Sequence, residues 1–146
     1  MEKAVMILVD GMRPDGLLGC GHPFVDELLK KSAHDLKART VFPSFTLPCH
    51  MSLFHGVTPQ RHGILSNTYV PQVRPVDGLI DQLNKFDKKC ASFITWENLR
   101  DLSRPDHLHT CLCKSVYILF RMNNHEMGIK RLRSLLRYGF NYRESI

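Results

Sequence analysis

Ala4 Val5 Met6 Ile7 Leu8 Val9 is an unbroken apolar run that stops at Asp10 Gly11. A strand in which every side chain is apolar has no wet face, so the run predicts a strand buried on both sides, as in a mostly parallel sheet flanked by helices. In such sheets ligands gather at the carboxyl ends of the strands, which makes Asp10 a candidate site residue by position alone. The chain has 146 residues, a length that suits one domain with a sizeable core.

The rest of the pattern supports an α/β alternation. Between Pro23 and Ser32 the apolar residues Phe24, Val25, Leu28 and Leu29 recur at helical spacing, and Lys30 and Lys31 suit the C-terminal end of that helix. A strand is expected around Leu36 to Val41. Thr46 then reads as an N-cap with Pro48 in the first turn of a helix running to His55 and stopped by Gly56. Residues 57–67 read as a turn-rich loop, residues 76–86 as a second amphipathic helix, and residues 90–95 as another buried strand.

Charge separates the chain into two stretches. Residues 1–113 carry 13 basic and 12 acidic side chains, whereas residues 114–146 carry 7 and 2, so +5 of the net +6 lies in the last 33 positions. Within that tail Ile129, Leu132, Leu135, Leu136 and Tyr138 fall on one helical face, with Lys130, Arg131, Arg133 and Arg137 around the rest. A basic amphipathic helix of this kind can contact nucleic acid or a membrane surface, or simply pack with its charges solvated. No stretch reaches the roughly 20 apolar residues of a membrane span. The run Ala4 to Val9 is short and lacks a small-residue cleavage site, which makes a cytoplasmic protein the expectation. The five cysteines, an odd set without a C-x-x-C pair, read as reduced thiols.

Three residues carry chemistry when taken together. Asp10 offers a hard carboxylate ligand for a divalent cation, and a hydroxyl such as that of Thr46 loses its proton more readily beside one. The N-terminus of the helix at Thr46 adds N–H donors and a positive dipole end that favour an alkoxide and a phosphate. Asn67 provides an amide able to hydrogen-bond a phosphoryl oxygen as charge develops there. Taken singly, each has an ordinary role as a turn former, a helix cap or a loop amide.

Their sequence blocks carry a resemblance. Ile7 to Arg13, Phe42 to His50, Gly56 to Ile64 and then Asn67 resemble, in order and spacing, the type I phosphodiesterase/nucleotide pyrophosphatase branch of the alkaline phosphatase superfamily. The resemblance implies Asp10 as a metal ligand, Thr46 as nucleophile and metal ligand, and Asn67 as the donor to the phosphoryl group. It implies a divalent metal, zinc, with two ions in the complete family, and a small phosphoester such as a nucleotide as substrate. The fold it implies is an incomplete alkaline-phosphatase-like α/β domain, a mostly parallel sheet flanked by helices, over residues 1–113. Residues 114–146, where the resemblance stops, read as a basic tail of uncertain origin that is expected to be helical.

Two departures shape the expectation. Cys49 stands where these enzymes often have Asn, which bears on substrate specificity. The further Asp and His ligands that the family supplies downstream are missing, so weak or absent metal binding is expected from this chain, and a frameshift or premature stop in a longer gene is one origin for the tail. Asp106 His107 resembles the family's Asp-His pair but comes too early and lacks the Gly that follows it, and is set aside. His50 and His62 read as structural. Along His107, His109, Cys111 and Cys113, side chains repeating about 6.8 Å apart on one strand face cannot surround one tetrahedral ion. The leading expectation is a metal-dependent phosphodiester or pyrophosphate hydrolase by lineage. The alternative is a non-catalytic remnant or binding module, with or without a basic tail on nucleic acid or membrane.

Overall fold

A computed structural model of the chain describes residues 3–72 and 74–114. The expected basic helix at 129–138 therefore lies outside the described residues. The architecture is α/β, and the chain divides between Pro75 and Val76 into two compact units.

The first unit is helical among its described residues. Helix α1 spans Pro14–Gly19, α2 Pro23–Lys31, α3 Thr46–His55 and α4 Pro59–His62. Helices α1, α2 and α4 each place Pro in the first turn, where its missing N–H costs nothing and its φ suits the helix. In α2 the apolar spacing and terminal lysines fall as the sequence predicts, and Lys31 pairs with Glu27 one turn earlier at 2.5 Å on an exposed face. Gly56 ends α3 in the left-handed conformation at φ 66°, where its N–H reaches the carbonyl of Ser52.

The core of this unit lies between α3 and α4. Leu47, Met51 and Ile64 are fully buried, together with Pro48 and Pro59. A buried polar contact joins the two helices: Ser52 Oγ lies 3.0 Å from His62 Nε2, while His62 Nδ1 accepts the Ile64 N–H at 3.1 Å. Accepting a backbone N–H requires a lone pair on Nδ1, so the ring is neutral with its proton on Nε2.

Three expectations are corrected here. Residues 3–9 belong to no strand, and Val5 and Ile7 are 76% and 78% exposed rather than buried. No ladder accompanies this run among the described residues, and without a paired neighbour an apolar sequence has nothing to hold it extended. Residues 36–41 likewise form bends and irregular backbone instead of a strand. Thr46 is the first residue of α3 and not its N-cap. Phe45 takes that position, because the Thr46 hydroxyl is engaged outside the helix.

The second unit holds α5 at Leu79–Lys85, β1 at Ala91–Ile94, a 3-10 helix at Glu97–Leu102 and β2 at Thr110–Cys113. The strands pair in parallel, with Ala91 opposite Thr110 and Ile94 opposite Cys113. The helix and strand expected over 76–86 and 90–95 are present in shorter form, but the strand expected to be buried alternates between exposed and half-buried positions, with Phe93 57% exposed. Ile80 and Leu102 are buried here, as is Asp81, at 2% exposure. Asp81 Oδ2 accepts the Gly78 N–H at 2.8 Å and so caps α5, while Oδ1 meets His107 Nδ1 at 2.6 Å. Arg104 bridges to Asp77 at 2.6 Å, and Lys85 also pairs with Asp77, whose carboxyl is held below its usual range chiefly by the Lys85 hydrogen bond.

The buried histidine gives the first unit a pH dependence. Burial, followed by repulsion from His55, pushes the His62 imidazole below its ordinary pKa, with a hydrogen bond to the Pro48 carbonyl acting the other way. Below about pH 6.5 the unfolded chain takes up a proton at this position that the folded chain resists. The stability His62 contributes is therefore fully present above that pH and is lost as pH falls toward the depressed folded pKa. Urea unfolding of the chain at pH 7.5 and pH 5 should show lower stability at pH 5, with a slope from this one residue of at most about 1.4 kcal/mol per pH unit. His62→Gln should flatten that slope, whatever it does to the stability at pH 7.5. An unchanged slope would contradict this account of His62.

Candidate phosphoryl-transfer site

Asp10 sits in a turn directly before Gly11, whose φ of 73° is the left-handed conformation that only Gly adopts freely. The turn places the Asp10 carboxylate against the start of α3. Thr46 Oγ1 donates to Asp10 Oδ2 at 3.0 Å, joining residues 36 apart in the chain.

Asn67 reaches the same helix end by a different route. The first backbone N–H groups of a helix have no partner inside it, and no side chain caps α3 at its N-cap residue. The Leu47 N–H instead donates to Asn67 Oδ1 at 3.0 Å. That bond fixes the sense of the amide, since only its oxygen can accept. Asp10, Thr46 and Asn67 therefore meet around the first turn of α3. Thr46 is half-buried, whereas Asp10 and Asn67 are exposed, so the site lies at the surface of its unit.

The electrostatics suit an anion at the end of α3 and a cation at Asp10. The helix N-terminus contributes N–H groups and the positive end of its dipole. Asp10 and Thr46 contribute two hard oxygens 3.0 Å apart. Two oxygens bound to one tetrahedral zinc at about 2.0 Å each are separated by roughly 3.3 Å, close to the spacing of this hydrogen-bonded pair. Among the described residues no three His, Cys, Asp or Glu side chains lie together in a way that could hold a metal ion.

The remaining sequence candidates are dispersed. His50 Nδ1 lies 2.8 Å from the Thr46 carbonyl and His55 Nδ1 lies 2.9 Å from that of Met51, the same contact repeated along one helix. Cys49 faces the Thr40 hydroxyl at 2.9 Å in a cleft that also includes Arg39, Leu53 and Val57. Asp106 and His107 do not work as a pair: Asp106 is in a left-handed turn at φ 65°, while His107 is bound to Asp81. All five cysteines are free.

Sequence reading missed the Asp81 to His107 contact and the Ser52 to His62 contact. The first joins residues 26 apart and the second residues 10 apart, and neither has a local spacing signature. The one available hint was Asp81 three residues after Gly78, the spacing of a carboxylate that reaches back to a helix start.

Comparison with known proteins gives the sequence a lineage. The family model for type I phosphodiesterase / nucleotide pyrophosphatase matches residues 4–108. The human ectonucleotide pyrophosphatase/phosphodiesterase family member 5 is 28% identical over 88 residues, 60% of this chain and 18% of that protein. An uncharacterized pyrophosphatase/phosphodiesterase of Schizosaccharomyces pombe is 33% identical over 72 residues, 49% of this chain and 15% of its own length. A bis(5'-adenosyl)-triphosphatase of Xenopus laevis is 32% identical over 65 residues, 44% of this chain and 14% of its length. The chain thus spans less than a fifth of each of these relatives. No solved structure matches it. Among the described residues no helix is long and apolar enough to cross a membrane. With the family match covering most of its residues, the chain belongs to the type I phosphodiesterase/nucleotide pyrophosphatase family, a lineage of phosphodiester and pyrophosphate hydrolases.

Proposed function

We propose that this chain carries the nucleophile portion of a metal-dependent site for phosphodiester or pyrophosphate hydrolysis, with Thr46 as the attacking residue. The observation that carries the reading is the Thr46 Oγ1 to Asp10 Oδ2 contact at 3.0 Å, made where the N-terminus of α3 and Asn67 also converge. A hydroxyl attacks phosphorus only as its proton is held away, and Asp10 Oδ2 is the atom toward which that proton points. Attack would form an Oγ1–P bond, break the bond from phosphorus to the leaving oxygen, and leave a covalent phosphoryl or nucleotidyl Thr46 for water to cleave. The Asn67 amide would orient the phosphoryl group beside the Leu47 N–H it already engages, where developing charge is best met by fixed donors.

Asp10 and Thr46 would hold the cation, zinc in our reading, which supplies Lewis-acid charge and lowers the pKa of a bound hydroxyl. Binding by two protein oxygens alone is expected to be weak. The substrate class follows from lineage: the name of the Xenopus laevis relative describes an enzyme acting on a bis(5'-adenosyl) triphosphate, which supports a nucleotide diester or anhydride here. The same reading takes residues 1–113 as the N-terminal part of an alkaline-phosphatase-like domain and 114–146 as a separate basic segment. Five free thiols support a reducing compartment, for which the cytoplasm is our proposal.

The test is covalent capture. The chain is incubated with zinc and the p-nitrophenyl ester of a nucleoside monophosphate, then digested and examined by mass spectrometry. A nucleotidyl adduct is expected on the peptide containing Thr46, absent in Thr46→Ala and reduced at least about tenfold in Asp10→Asn, in line with the loss of one charged contact to the nucleophile. Absence of the adduct, or its persistence in Thr46→Ala, would contradict the proposal.

A further inference from the structure

We infer that His62 is a positioning residue for Asn67, a bracket between α3 and the turn after α4 that sets where the Asn67 amide meets the first turn of α3. The inference rests on the reading of Asn67 given above and adds a residue that touches neither Thr46 nor the phosphoryl position.

Both ring nitrogens are engaged, and they face different elements. On one side Nε2 lies 3.0 Å from Ser52 Oγ, a residue of α3. On the other side Nδ1 accepts the N–H of Ile64, the residue that begins the run to Asn67. The circuit closes where the Leu47 N–H donates to Asn67 Oδ1, again on α3. Only Leu65 and Ser66 separate Ile64 from Asn67, and a chain that short has little slack.

The burial pattern says which contact sets the position. Gly63, Leu65, Ser66 and Asn67 are exposed, whereas His62 is 1% and Ile64 0% exposed. The turn is thus anchored at its buried start, and its exposed remainder has little packing to correct an error in placement. His50 and His55 offer a contrast, since each binds a carbonyl four residues back in its own helix and joins no second element. An imidazole can donate from one edge and accept at the other, and an apolar residue filling the same space would leave the Ile64 N–H without its acceptor.

Amide hydrogen exchange by NMR on the 146-residue chain at pH 7.5 tests this. The Leu47 N–H reports the contact with Asn67, and the Gly56 N–H, bonded to the Ser52 carbonyl at 2.9 Å, reports the far end of the same helix. Asn67→Ala sets the scale for losing the acceptor. His62→Gln keeps a donor that can extend toward Ser52 but places no acceptor at Ile64. It should speed Leu47 exchange relative to Gly56 by about five- to tenfold, the weight of one hydrogen bond. In the Asn67→Ala background the same substitution should add nothing to the Leu47 to Gly56 ratio, because the bond it supports is already gone. Should His62→Gln fail to fold, Ser52→Ala carries the test, with a smaller rise at Leu47 and none at Gly56. Equal acceleration at Leu47 and Gly56, or full additivity with Asn67→Ala, would overturn the inference and leave His62 as a core residue only. None of these readouts involves hydrolysis, so loss of the positioning role and loss of the phosphoryl-transfer reading are separate outcomes.

Discussion

A helix begins with backbone N–H groups that its own carbonyls cannot reach, and in α3 their needs organise the surrounding chain. Phe45 offers no capping side chain. The Leu47 N–H is met from outside by Asn67, and the Thr46 hydroxyl, which an N-cap would have turned back onto the backbone, is turned instead to Asp10. One unsatisfied helix end thereby brings together three residues from three separate stretches of sequence. The same end carries the positive pole of the helix dipole, which is why the proposed phosphoryl position lies there.

The second unit solves a similar problem by different means. Asp81 lies inside α5, reaches back to the Gly78 N–H, and uses its other oxygen to hold His107. A carboxylate this buried is tolerable only because several partners meet its lone pairs. It fastens the approach to β2 onto the start of α5. In both units a polar group that closes a helix end also fixes a segment remote in sequence.

What the sequence made legible followed from local rules. Pro23 and the apolar spacing after it specify α2, and Gly56 closes α3 because a left-handed residue there favours glycine. Asp10, Thr46 and Asn67 could be selected because motif order stands in for the missing three-dimensional information. The run Ala4–Val9 was misread for an equally physical reason: an apolar pattern records a tendency to be buried, while a strand exists only with a neighbour to complete its ladder. The Thr46 cap failed because the competing acceptor, Asp10, is 36 positions away. The Ser52 to His62 and Asp81 to His107 contacts lay beyond sequence reasoning because pairing between polar residues of different elements leaves no periodic trace.

The central claim is that Asp10 and Thr46 form one cation-binding, phosphoryl-accepting site at the N-terminus of α3. Zinc titration of the isotope-labelled chain, followed through its backbone amide resonances, tests this most directly. The account predicts weak binding whose largest perturbations fall at Gly11, Thr46 and Leu47 and vanish in Asp10→Ala. Tight binding centred on residues 107–113 and unchanged by Asp10→Ala would contradict it.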